Sequence, residues 1–233
     1  MILRDAATEA LRELALPTTA AAAFTLLALP LIAESGVVVR QRAILDGTLA
    51  VGWLLSVASG LRLGTLLGGQ GLGPLLRPVL GDLPFLGHRL LGYGVVLTAQ
   101  AAVFLLLAAL HTRHPGLLVH GVACALEGLL AVLLTALVAT AARPWLGAVV
   151  AAALLWVGHL EQELVAALGA GGPVARVLLV LVPSVEGLNV QGALLAGAPL
   201  DPAALAGGLA QAVGWCLLTA LLLRVAWGRT DRG

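Results

Sequence analysis

A single carboxylate, Glu127, stands well inside an otherwise apolar run, "LLVHGVACALEGLLAVLLTALVATA". An ionised carboxylate near the middle of a bilayer costs about 2.5–3.5 kcal/mol on insertion scales. It must therefore face other helices or a polar cavity, or carry a proton. Glu127 reads either as a polar point on a substrate path or proton site, or as a structural hydrogen bond to a neighbouring helix. A second group is His159, Glu161 and Glu163. His159 and Glu163 are four apart, so one helix would align them. With Glu186 they form a polar cluster rather than a zinc-protease site, because the HExxH order is absent. His111, His114 and His120 offer three imidazoles that could ligate copper or zinc. Their spacing is irregular, and the reading adopted is interfacial histidines without a metal. Ser56 and Ser59 have no histidine near them in sequence, so a nucleophile–base pair is not indicated. Cys124 and Cys216 form no CxxC pattern and read as buried thiols.

The elements that must position these groups are membrane helices. Of 233 residues, 60% are hydrophobic and 11% charged, against about 25% charged in an ordinary soluble domain. Several apolar runs approach the ~17–25 residues needed to cross a hydrocarbon core. The runs are continuous rather than alternating, which argues for helices and against a membrane barrel. Six spans are expected, at 16–33, 44–61, 90–110, 117–142, 145–160 and 204–227. The run Val174–Pro183 is too short to cross and suits a re-entrant or interfacial segment. "MILRDAATEALRELAL" reads as an amphipathic helix over residues 1–15, with Ala7, Leu11 and Leu14 on one face and Arg4, Asp5, Arg12 and Glu13 largely elsewhere. Asp5, Glu9 and Glu13 argue against a cleaved signal peptide. The expected fold is all-α: one transmembrane domain over 1–233, with an insert at 161–203.

Every cation is an arginine. Six spans put Arg4, Arg12, Arg62, Arg77, Arg89, Arg143, Arg224, Arg229 and Arg232 on one side, and Arg40, Arg42, Arg113 and Arg176 on the other. That asymmetry makes both termini cytoplasmic in a multi-pass inner-membrane protein. Segment 62–89, rich in glycine, proline and arginine, is then a cytoplasmic loop able to meet anionic headgroups or an acidic partner. The absence of lysine excludes the Walker A phosphate loop, whose lysine reaches the β- and γ-phosphates. Nothing marks the chain itself as an enzyme, and a net charge of +1 gives no reason to expect nucleic acid.

These features, in order, resemble the permease subunits of the ABC transporter type 2 family, near the group linked to multicopper-enzyme maturation. The likeness is carried by the amphipathic N-terminus, "GTLLGG", "LLRPV" and "FLGHRLLG" after the second span, "VGHLEQEL" closing the fifth, and "LVPSVEGLNVQGALLAGAPLDP" before the sixth. The sequence departs from the family in Gly60-Leu61-Arg62-Leu63, where an acid usually follows the second span. The resemblance implies a permease that pairs with a second copy or homologue and whose insert at 161–203 forms short outer-leaflet helices. Cytoplasmic ATPase subunits, holding ATP and magnesium, would dock on the loop between spans two and three. Arg62, Arg77, Asp82, His88 and Arg89 would make that coupling. Function is then expected to be ATP-driven export. The alternative is a non-transporting scaffold in an ATP-driven mechanical complex, with a periplasmic partner on the outer insert.

Overall fold

A computed structural model describes residues 2–34, 36–68, 82–109, 116–168, 172–173, 177, 182–183 and 185–230. All regular structure among them is helical: α1 (Ile2–Glu13), α2 (Ala15–Glu34), α3 (Val37–Leu67), α4 (Asp82–Ala109), α5 (Gly116–Ala141), α6 (Pro144–His159), α7 (Glu161–Leu168), a 3-10 turn (Glu186–Leu188), α8 (Gln191–Ala196) and α9 (Pro202–Thr230). Among the described residues, three helices are long and apolar enough to cross a membrane: α3, α5 and the Pro202–Gly228 part of α9. Ala15–Phe24 and α6 are shorter apolar helices.

The bundle is built around α5, which packs against α3, α4, α6 and α9. Its Leu130, Ala131, Val132, Thr135 and Ala136 are completely buried. α9 is peripheral and turns Leu217, Leu221 and Val225 outward.

Small residues allow the helices of the core to approach, as expected where both protein and lipid are apolar and packing must supply the attraction. A methyl group at Gly60 would lie 2.5 Å from Thr135 Cβ and 2.6 Å from the Val132 carbonyl. One at Gly64 would lie 2.5 Å from Ala139 Cβ, and one at Gly147 2.6 Å from the Thr135 carbonyl. Gly60-x-x-x-Gly64 is thus the seam of α3 on α5, and Gly147 brings α6 onto the same stretch. Gly68, four residues further on, meets only carbonyls of its own helix.

Serine and threonine hydroxyls inside the helices donate back one turn. Ser56 bonds the Gly52 carbonyl and Ser59 the Leu55 carbonyl, each at 2.7 Å. Thr140 and Thr219 do the same to Ala136 and Trp215. This satisfies a polar group at apolar depth without a second helix.

α1 is the amphipathic helix expected, but it buries a different face. Its buried stripe is Ala6, Ala10 and Leu14, and it packs on α4. Leu11, assigned to the apolar face, is 52% exposed, while Glu9 and Glu13 turn toward α4. The physical reason lies on α4: Gly92 lets the α1 backbone come so close that a methyl group there would collide with the Ala6 carbonyl, and arginine and tyrosine flank the contact.

Helix boundaries also shift the loop. α3 continues through Arg62 to Leu67, and α4 begins at Asp82, with Pro84 in its first turn, where a missing N–H costs nothing. Both flanks of the expected loop are therefore helical. Residues 69–81, with Arg77, lie outside the described residues, as do His111, His114 and most of Val174–Pro183.

Candidate functional site

Two polar clusters stand out against the apolar bundle. The first joins α1 to the foot of α4. Arg89 is buried and bridges two carboxylates: one terminal nitrogen lies 2.7 Å from Glu13 Oε1 and the other 2.8 Å from Glu9 Oε1. Tyr93, one turn on, donates its hydroxyl to Glu13 Oε2 at 2.6 Å. His88 Nε2 lies 3.5 Å from Glu9 Oε2. Two i,i+4 ladders thus face each other, Glu9–Glu13 on α1 and Arg89–Tyr93 on α4. The planar guanidinium suits this role because it reaches two carboxylates at once. Phe85 supports it: the Arg89 guanidinium carbon sits 5.4 Å from the Phe85 ring centroid, and Phe85 leans on Trp227 of α9 at 5.9 Å. The foot of α4 and α1 are consequently one packed unit, which α9 touches through Trp227.

The second cluster surrounds Glu127. α5 and α6 are joined by a tight turn at Ala142–Arg143, and Pro144 opens α6. Glu127 and His159 lie roughly fifteen residues on either side of that turn, which places them at equal height at 1.5 Å per residue. His159 Nε2 meets Glu127 Oε2 at 3.1 Å. Trp53 of α3 donates its indole N–H to the same oxygen across a long 3.4 Å, and its ring lies 5.6 Å from the His159 ring. Glu127 is 2% exposed. The buried carboxylate therefore has a partner on two neighbouring helices, α3 and α6.

His120 and Cys124 continue the polar line along α5, with His120 Nε2 at 3.6 Å from Cys124 Sγ. No group of three or more His, Cys, Asp or Glu side chains among the described residues is arranged to hold a metal ion.

No protein-family model matches the chain, and no curated protein or solved structure matches it. What the chain does must be argued from these two clusters and their neighbours.

The insert after α6 closes over the second cluster. The Pro183 carbonyl lies against Gly158, so closely that a methyl group at Gly158 would collide with it. Val185 is fully buried, Leu188 packs with Ala123 and Ala212, and Gly187 lies directly on Gly208 of α9. α8 ends at Gly197, whose left-handed φ of 64° favours glycine. Asp201 then caps α9, accepting the Ala203 N–H at 2.9 Å.

The residues singled out from sequence are distributed as follows. Arg62 is exposed near the end of α3 and Arg89 is buried in the first cluster, with His88 beside it. Asp82 is the first residue of α4, Glu161 of α7 and Glu186 of the 3-10 turn, with their side chains outside the described set. Glu163 is exposed on α7. The helix breaks at Leu160, so His159 and Glu163 do not share one continuous helix; His159 turns to Glu127 instead. Glu9, Glu13, Tyr93 and Trp53 were not singled out. The matched i,i+4 spacing of Glu9–Glu13 and Arg89–Tyr93 is the signal that could have found three of them.

Proposed function

We propose that the chain is the membrane-spanning subunit of an ATP-driven transporter of the ABC type 2 kind, an exporter whose ATPase is a separate chain. In this reading α2, α3, α4, α5, α6 and α9 each cross the inner membrane, and both termini are cytoplasmic. The observation that carries it is the union of α1 with the foot of α4 through Arg89, Glu9, Glu13 and Tyr93. α4 runs unbroken from Asp82 into its apolar stretch. A push on the segment between α3 and α4 would thus move α1 and α4 together, with Trp227 of α9 in contact with the moving foot. Rigid elements that shift as bodies are the usual carriers of such motion.

Within that scheme the residues have distinct parts. Arg62, with Arg77 and Asp82, belongs to the surface an ATPase would grip. His88 and Arg89 hold the gripped helix to α1. Glu127, His159 and Trp53 tie the middle of α3 and of α5 to the last residue of α6, so that the motion reaches that end of α6. A chain without lysine has no Walker A loop, which is why hydrolysis is assigned to a partner. A second copy or a homologue would complete the path between two halves.

The test is purification of the native protein in mild detergent. An ATPase subunit should accompany it in stoichiometric amount, and Arg62→Glu combined with Arg77→Glu should reduce that recovery at least tenfold while leaving the folded permease intact. Recovery of the chain without any ATPase would contradict the reading.

A further inference from the structure

α6 is too short for the membrane that its neighbours fit. It has 16 residues, about 24 Å of helix, against a hydrocarbon core of about 30 Å. α5, starting from the same turn, has 26 residues and spans about 39 Å. The apolar stretch ends where α6 ends, since Glu161-Gln162-Glu163 follow.

Two tryptophans mark the ends of its outer face. Trp145 is 60% exposed and Trp156 65% exposed. They are eleven positions apart, three turns, and so lie on one side of the helix about 16 Å apart along its axis. Val149, also exposed, and the exposed Ala152 and Ala153 lie between them. Arg143, exposed, lies just before Trp145. Tryptophan collects at the membrane–water boundary, where its ring is buried and its N–H stays wet. A tryptophan at each end of an apolar face, with charge beyond each, is an interface-to-interface signature at a spacing well below the normal thickness.

We propose that this face of α6 is a lipid-facing surface around which the bilayer is locally thinned, the boundary dipping on the His159 side to the level of Trp156. Glu127 and His159 then lie at a headgroup-level boundary rather than at hydrocarbon depth. A helix shorter than its membrane is accommodated by this kind of thinning. The inference rests on α6 being inserted in a bilayer, and not on what the protein carries or which ATPase it meets.

Depth-dependent quenching by brominated lipids tests it on the full chain in phosphatidylcholine vesicles. Comparing wild type with Trp156→Phe, and with Trp145→Phe, isolates the signal of each ring; both are exposed, so neither change disturbs the core. Both rings should be quenched most by bromines at carbons 6 and 7, nearest the headgroups, and by at least twice as much as by bromines at carbons 11 and 12. Stronger quenching of Trp156 by the deeper bromines would overturn the proposal. So would the absence of any quenching, which would mean that protein, such as a second copy, covers this face.

Discussion

Replacing Arg89 by leucine is expected to lower stability by about 3 kcal/mol, among the largest effects of any single change in the chain. Breaking a buried ion pair from one side costs about 3–5 kcal/mol, because the charge left behind has no partner. Here two carboxylates are left. Glu13 is 23% exposed and would keep only Tyr93; Glu9 is 41% exposed and can be rehydrated. That partial access to water sets the figure at the lower end of the range. Arg89→Lys should lose about half as much, since an ammonium keeps the charge but cannot hold both carboxylates with a planar fork. Unfolding in detergent by graded denaturant, followed by circular dichroism, measures both. A loss below about 0.5 kcal/mol for the leucine variant would mean that the cluster is solvated and holds nothing.

His159→Leu is expected to cost about 1–3 kcal/mol, because it leaves the buried Glu127 carboxyl with the long indole bond of Trp53 alone. The sharper prediction is that the second change reverses the first. His159→Leu with Glu127→Leu removes the stranded polar group and fills both places with hydrocarbon, so the double variant should recover most of the loss. Glu127→Gln alone should be mild, because an amide oxygen still accepts from the indole and the imidazole. The same unfolding measurement on wild type, His159→Leu, Glu127→Leu and the double variant forms a double-mutant cycle. Additive losses would show that the two side chains do not interact.

The helices were legible in the sequence because continuous apolar runs need no partner to be recognised. Their inner and outer faces were not. In a chain with helices apolar enough to cross a membrane, leucine serves both faces: Leu130 is completely buried and Leu221 is 60% exposed, and no periodicity separates them. The same limit hid the orientation of α1. Its helical wheel offers faces but does not say what meets them, and the partners of Glu9 and Glu13 lie on α4, more than seventy residues away. Glu127 was conspicuous as a charge in an apolar run, yet its partner was illegible. His159 sits beside two glutamates in sequence, and only the turn at Arg143 sets it opposite Glu127. Glu9, Glu13, Arg89 and Glu127 were therefore visible as types and invisible as pairs. Gly60 and Gly64 pose the converse case. Their spacing is common by chance in a chain with 29 glycines, and only the absence of room for a methyl group distinguishes them from Gly52 and Gly94, where space is open.

The most direct test of a six-span body with its α1–α4 foot in the cytoplasm is single-cysteine labelling in intact cells. The native Cys124 and Cys216 are buried, so an impermeant maleimide should find little background. Arg62→Cys and Arg143→Cys should be labelled only after the inner membrane is opened, and Glu163→Cys should be labelled from outside in intact cells. Labelling of Arg62→Cys and Glu163→Cys from the same side would contradict the proposed topology, and with it the place assigned to the ATPase.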